Sequence, residues 1–229
     1  MKTTISVVSP IYNDMISMPC VIEELTKLLS RQVNNWELFL IDDGSTDGSR
    51  EWITRYIKGK GHIRVVFHKK NEGIAKTYRQ LYREANGEVI VLFSLDGEWD
   101  PPDVIRLIRS ATEEKFDMVI GIRRHKKYTV WRAVVSSIYN TCTRVVFRID
   151  TRDAGSIKAI RRTLVRNIPI VSRGVFDEAE RIIRAKRQGF RIGFIDVAHT
   201  KSIKMKRGIH PFHVFEACVD MLRVFFAAH

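Results

Sequence analysis

The run Val89-Ile90-Val91-Leu92-Phe93 constrains the fold more than any other segment, because it is continuously apolar and has no polar face. An alternating strand can leave one side in water. A continuous run rich in Val, Ile and Phe has to be covered on both sides, as a central strand of a parallel sheet is. It empties directly into Ser94-Leu95-Asp96-Gly97-Glu98-Trp99-Asp100 and then Pro101-Pro102. Loops after the carboxyl ends of such strands form the ligand crevice of open α/β sheets. Carboxylates at alternate positions there, Asp96, Glu98 and Asp100, make an oxygen-rich set suited to a hard divalent cation such as Mg²⁺ or Mn²⁺, which in turn holds phosphate. The competing reading is a solvated acidic loop before a helix that opens at the prolines.

Other strand-like segments end in the same way. Trp36-Glu37-Leu38-Phe39-Leu40-Ile41 runs into Asp42-Asp43-Gly44-Ser45-Thr46-Asp47-Gly48, and Ile5-Ser6-Val7-Val8-Ser9 runs into Pro10-Ile11-Tyr12-Asn13-Asp14. In a parallel sheet these polar ends share one edge. Between them the pattern predicts a helix from Pro19 to Arg31 with Val21, Leu25, Leu28 and Leu29 on one stripe, and a second helix after Asp47 with Trp52, Ile53, Tyr56 and Ile57 apolar. A strand at Ile63–Phe67, a helix from Ala75 to Ala85 closed by Asn86-Gly87, a helix after Pro101-Pro102 and a strand at Met118–Ile122 continue the alternation. The fold class is therefore α/β: a single Rossmann-like domain with a mostly parallel central sheet covered by helices on both faces. Further on, Trp131 to Phe147 reads as a helix, and Phe176-Asp177-Glu178-Ala179-Glu180 opens another that ends near Gln188-Gly189. The acids at its start serve a site or else are N-terminal helix charge, which the macrodipole favours.

Composition narrows the function. With 229 residues and 45% hydrophobic content the chain can fill one sizeable core. Cys20, Cys142 and Cys218 have no metal-ligand spacing and suggest no disulfide framework, so reduced cytoplasmic thiols are expected. Met1-Lys2-Thr3-Thr4 leads straight into a strand, so no signal peptide is expected, and no apolar stretch has membrane-spanning length. His68, His125, His199, His210 and His213 do not recur at metal-binding spacing. A Gly-x-Ser-x-Gly elbow and a Walker-type loop are both absent, which argues against the hydrolase and P-loop classes. The net charge of +13 calls for an anionic partner. Zinc-finger, aromatic RNA-binding and basic-zipper signatures are missing, so nucleic acid is not expected. Basic residues thicken at Arg123-Arg124-His125-Lys126-Lys127, at Arg161-Arg162 and between Lys201 and Arg207, a distribution that fits an anionic membrane surface.

Taken together, Pro10-Ile11-Tyr12-Asn13, Ile41-Asp42-Asp43-Gly44-Ser45-Thr46-Asp47, Asn71-Glu72-Gly73 and Asp96-Gly97-Glu98 resemble the ordered motif set of the family 2 glycosyltransferases, which have the GT-A fold. The double proline, the short chain and the basic balance look most like the polyprenyl-phosphate sugar transferases of the dolichyl-phosphate mannose synthase type. The resemblance covers the chain well as far as the fifth strand and more loosely after it. It implies a UDP- or GDP-linked sugar donor whose nucleotide is held by Asp42 and Asp43, with Pro10, Tyr12 and Asn13 lining the same pocket and Asn71 and Gly73 completing it. It implies Mg²⁺ or Mn²⁺ at Asp96, Glu98 and Asp100, and catalytic roles for Asp96 and Glu98. Asp153 comes by resemblance too, since an acid precedes a Ser-Gly-aromatic-Lys-like turn in that family and Asp153 precedes Gly155-Ser156-Ile157-Lys158 here. The second acid of the metal motif is Glu98 where the family carries Asp, Asp100 stands near the place of a Gln, and the spacing to the double proline is one residue shorter.

An ionised phosphate acceptor needs cations more than a base. Arg123, Lys158, Lys204, Lys206 and Arg207 are the candidates to bind it, Arg being favoured for bidentate geometry. The late Arg-x-x-Gly-x-Ser element of the family is only approximated, since Lys206-Arg207-Gly208 has no following Ser. Residues 1–210 are expected to form the catalytic domain. Residues 211–229 are expected to form a C-terminal amphipathic helix that faces a membrane, or else packs on the core or on a partner subunit in a homo-oligomer. Phe225-Phe226-Ala227-Ala228 ends in mid-pattern, as a chain would if membrane segments followed in a longer protein. The expected function is inverting, metal-dependent transfer of a sugar to a polyprenyl phosphate at the cytoplasmic face of a membrane. The alternatives are a soluble family member acting on a saccharide and a non-catalytic nucleotide-sugar-binding protein.

Overall fold

The computed structural model describes residues 3–123, 141–149, 151, 153–174, 176–198 and 211–227. Its centre is a seven-stranded sheet in the order β3-β2-β1-β4-β6-β5-β7. The strands are β1 (Ile5–Ile11), β2 (Trp36–Asp42), β3 (Ile63–Phe67), β4 (Val89–Leu92), β5 (Met118–Arg123), β6 (Lys158–Arg161) and β7 (Ile192–Val197). All neighbouring pairs are parallel except those of β6, which runs antiparallel between β4 and β5. Because β6 is reversed, its first residue, Lys158, stands opposite Leu92 and Ile120, near the carboxyl ends of those strands.

Helices α1 (Met18–Gln32), α2 (Ser49–Tyr56), α3 (Ile74–Glu84) and α4 (Pro101–Glu113) lie within two residues of their expected bounds. Then come α5, described over 141–147, α6 (Arg162–Asn167), α7 (Asp177–Arg187) and α8 (Pro211–Ala227). The face that α1 buries is Met18, Ile22, Leu25 and Leu29. Val21 and Leu28, expected on that stripe, are only partly buried at its margin.

Two apolar clusters cover the two faces of the sheet. On one side Leu38, Leu40, Val89 and Val91 meet Ile22 and Leu25 of α1, Ile53 of α2 and Val104 and Leu107 of α4. On the other, Phe39, Ile41, Ile90 and Leu92 meet Leu81 of α3, Leu164 of α6 and Ile182 and Ile183 of α7. Successive strand residues thus serve opposite cores, as the unbroken apolar runs require. Helix α8 joins the second core through Val224, and its buried Asp220 accepts backbone N–H groups of Arg173 and Gly174 at 3.0 and 2.7 Å. The same helix exposes Leu222 and Phe226. No described helix is long and apolar enough to cross a membrane.

Candidate active site

The carboxyl ends of β1, β2, β4 and β5 and the start of β6 meet at one edge of the sheet, with the N-termini of α3 and α7 beside them. The loops after β1 and β2 are laced together. The Asn13 N–H donates to Ser45 Oγ at 3.0 Å, the Asn13 side-chain oxygen accepts the Thr46 N–H at 2.8 Å, and the Asp14 and Met15 N–H groups reach Ser49 Oγ and Asp47. Asn13 adopts φ +54°, a left-handed conformation that Asn tolerates better than most side chains. Tyr12 is left exposed beside these loops.

Asp42 and Asp43 are both buried, and their carboxylates face protein groups. Asp42 receives Arg50 Nε at 2.8 Å and the Ser45 N–H at 3.3 Å. Asp43 accepts the Glu72 and Gly73 N–H groups at 2.9 and 3.0 Å and lies 2.7 Å from His68 Nδ1. Asp43 therefore shapes the loop that carries Asn71 and Gly73. That loop lies against Gly44, where a Cβ would come within 2.6 Å of the Asn71 nitrogen. Opposite Asp43, His68 Nε2 meets the Gln80 amide oxygen at 2.9 Å. Burial by itself would lower the His68 pKa, but the bonds to Asp43 and Gln80 and the charges of Glu72 and Asp43 raise it.

After β4 the chain turns at Gly97 (φ +75°), and the Glu98 N–H donates to Asp96 Oδ1 at 3.1 Å. Asp96 is half-buried and Glu98 buried, whereas Asp100 is exposed at the N-terminus of α4. Among the described residues no three His, Cys, Asp or Glu side chains come together as a metal-holding group, so Asp100 does not join Asp96 and Glu98 in a closed cage. Two carboxylates fit Mg²⁺ or Mn²⁺ nonetheless, because such cations are commonly held by one or two carboxylates and complete their shell with water and substrate phosphate.

Arg123 and Asp153, expected from separate motifs, form one buried ion pair. Arg123 Nε donates to Asp153 Oδ2 at 2.8 Å, its backbone N–H reaches the same oxygen at 3.1 Å, and Nη2 bonds Oδ1. The guanidinium also lies 5.4 Å from the centre of the Trp99 ring, which fixes the pair beside the Asp96–Glu98 turn. Lys158 is only 1% exposed, and its Nζ donates to the Ala154 carbonyl at 2.5 Å and to Glu178. Lys201–Arg207, with the acceptor candidates Lys204, Lys206 and Arg207, lies outside the described residues, as do 124–140.

The acids at the start of α7 carry more than helix-end charge. Asp177 and Glu178 are buried, and with Ile74, Tyr78, Leu92 and Lys158 they line a cavity of about 230 Å³. Asp177 Oδ2 has no hydrogen-bond partner among the described residues. Burial, then the neighbouring Glu178 charge, pushes the Asp177 pKa up to about 7. Burial also opposes the Glu178 charge, but Lys158 and Arg181 outweigh it and hold that carboxyl below its usual value. Tyr78 is pushed upward by burial and by the charges of Glu178, Asp177 and Asp96, which places the cavity in the field of Asp96. The available sequence signal was the clustering of acids just after buried-looking Phe176. Glu180 instead closes the preceding loop by accepting the N–H groups of Val171 and Ser172.

A twisted α/β sheet of this order, with an acidic crevice at its carboxyl edge, is the GT-A glycosyltransferase architecture. The sequence profile described as "Glycosyl transferase family 2" matches residues 6–176, and the chain belongs to that family. Curated relatives include undecaprenyl-phosphate 4-deoxy-4-formamido-L-arabinose transferases. The one from Yersinia enterocolitica is 28% identical over 163 residues, and the one from Pectobacterium carotovorum is 30% identical over 164 residues. Each match covers 70% of this chain and 50% of the relative, so the chain spans about half the length of these proteins. Glucosyl-3-phosphoglycerate synthase from Mycobacterium tuberculosis, solved with Mn²⁺, UDP and phosphoglyceric acid, shares the fold. Its TM-score is 0.75 at 19% identity, over 97% of this chain and 78% of that one. The same enzyme with Mg²⁺ and UDP gives a TM-score of 0.75 at 17% identity, over 98% of this chain and 80% of that one.

Proposed function

We propose that this chain transfers a sugar from a UDP- or GDP-linked donor to a polyprenyl phosphate at a membrane surface, with inversion at the anomeric carbon. The observation that carries the reading is the convergence, at one sheet edge, of Asp96 and Glu98 with the Arg123–Asp153 pair and the Lys158–Glu178 pair. The undecaprenyl-phosphate acceptor named in the curated relatives supports this choice of acceptor.

Asp96 and Glu98 would hold Mg²⁺ or Mn²⁺, which when bound offsets the charge that builds on the departing diphosphate. The nucleoside lies against Tyr12 and the laced loops after β1 and β2. There Asp42, Asp43, Asn71 and Gly73 act by fixing loop shape as much as by direct contact. The 230 Å³ cavity is smaller than the roughly 300–1,000 Å³ typical of drug-sized sites, a size for one sugar ring. Asp177, able to carry a proton near neutrality, can donate to or accept from a sugar hydroxyl. The acceptor phosphate arrives ionised and needs no base, so an Asp153 already bound to Arg123 suits this chemistry. Asp153 orients the guanidinium, and the guanidinium meets the phosphate. The membrane face would be formed by the basic segment at Lys201–Arg207 and by α8, whose Leu222 and Phe226 are exposed.

The test is a turnover screen across UDP- and GDP-sugars with a phosphopolyprenol acceptor. Asp96→Asn is expected to lower turnover at least about a hundredfold with the fold intact, the scale of losing a main electrostatic stabiliser. Full activity in EDTA, or near-normal activity of the variant, refutes the assignment. Transfer to a saccharide but not to the lipid phosphate would establish the soluble-acceptor reading instead.

A further inference from the structure

A second cavity, of about 440 Å³, lies between α3, α6 and α7. Five of its nine lining residues are arginines, namely Arg79, Arg83, Arg162, Arg166 and Arg181, and none of the nine is acidic. Exposed arginines are ordinarily just a solvated face, and Arg83 and Arg166 are exposed. Arg181 is not, being 3% exposed. Its Nε and that of Arg162 are buried without a hydrogen-bond partner among the described residues. A buried guanidinium donor left without an acceptor is unfavourable, so a ligand that supplies an acceptor is favoured there.

Uncharged groups help to hold Arg79, Arg162 and Arg181 in place. Arg79 Nη1 donates to the Ser172 and Arg173 carbonyls, both at 3.3 Å, and Arg162 Nη2 donates to the Ala85 carbonyl at 2.6 Å. The Arg181 guanidinium lies 4.4 Å from the centre of the Tyr82 ring. The nearest buried acids, Asp177 and Glu178, belong to the wall of the other cavity. Arg79 stands 3.8 Å from Asp177 and Arg181 stands 3.8 Å from Glu178, too far for hydrogen bonds. Arg83 Nη2 also donates to Glu84 Oε1 at 3.1 Å, so three acids stand against five guanidinium groups and the lining keeps an excess of positive charge. Planar guanidinium groups held in place with that excess match the oxygens of a phosphate.

We propose that this pocket is a second binding site, separate from the carboxylate edge, for a phosphate-class anion: a soluble pyrophosphate-type ion or the headgroup of an anionic phospholipid. The proposal stands on the pocket and does not rest on the transfer reaction. The experiment is calorimetric titration of the full chain with inorganic pyrophosphate at low salt in EDTA. The proteins compared are the unmodified chain, Asp96→Asn, and the double variant Arg83→Gln/Arg166→Gln, whose exposed positions leave the fold intact. Binding is expected to be equal in the first two and weaker by on the order of tenfold or more in the third, the loss expected for two charged partners. Absence of binding overturns the proposal. So does binding undiminished in the double variant, and if that binding vanishes in Asp96→Asn the anion sits at the carboxylate edge. Sedimentation with phosphatidylcholine vesicles, with and without phosphatidic acid, separates the sources. Vesicle binding that needs phosphatidic acid and drops in the double variant assigns a lipid headgroup. Vesicle binding indifferent to the variant, alongside pyrophosphate binding that depends on it, assigns the soluble anion.

Discussion

Replacing Lys158 with methionine isolates the buried charge at the centre of the site. Methionine keeps most of the length of the side chain, so the cavity left behind is small and the electrostatic loss dominates. Lys158 is 1% exposed, and its Nζ is shared between Glu178 and the Ala154 carbonyl. Removing it leaves Glu178 with the Tyr82 hydroxyl at 3.2 Å and Arg181 at 3.8 Å. Breaking a buried pair by removing one partner costs about 3–5 kcal/mol, and with Arg181 still near, the lower end, about 3 kcal/mol, is expected. The pH dependence gives an independent check. In the unmodified chain Glu178 is held below its ordinary pKa, so it adds stability above that value and loses it as pH falls through the folded one. Without Lys158, burial is left dominant and the Glu178 pKa rises. The deficit should then be full near pH 8 and shrink toward pH 5 as Glu178 takes up a proton. Urea unfolding of both proteins at the two pH values measures this, and adding Glu178→Gln to Lys158→Met should restore more than about 1 kcal/mol. A deficit under about 1 kcal/mol at pH 8, or one that does not change with pH, refutes the account of this pair.

Three further outcomes follow from the loops. Gly44→Ala puts a Cβ within 2.6 Å of the Asn71 nitrogen at φ +76°, and should destabilise by about 1–3 kcal/mol in thermal or urea unfolding. The raised His68 pKa means that its contribution to stability is complete below its unfolded value of 6.5 and is lost as pH rises through the folded one. The stability gap between the unmodified chain and His68→Asn should therefore narrow as pH rises above 6.5 and through the folded pKa. Asp42→Ala releases Arg50 and the Ser45 N–H, and should weaken nucleotide affinity in calorimetry without altering the metal requirement.

What the sequence disclosed and what it hid divide along physical lines. β1, β2 and β4 are legible because each is an apolar run bounded by turn-forming residues, and the edge they share follows from parallel pairing alone. β6 is not legible. Lys158-Ala159-Ile160-Arg161 begins and ends in charge, and only the pairing with β4 and β5 makes it a strand. The roles of the acids are hidden for a related reason. A carboxylate after a strand can serve a ligand or the backbone of its own loop, and local spacing is the same in both cases. Asp43 shows the second case, since its oxygens face His68 and the Glu72 and Gly73 N–H groups. At the start of α7 the same ambiguity holds, since the helix dipole favours acids there whether or not they serve a site. Their burial becomes visible only when a lysine twenty residues earlier is found inside the fold with Glu178. A lysine and a glutamate are rarely buried alone, so each accounts for the other. Asp177 is left as the buried acid beside that pair, with one oxygen unpartnered among the described residues. Burial, then the charge of the adjacent Glu178, sets its proton affinity near neutrality, and the burial is not visible in the neighbouring residues of the chain.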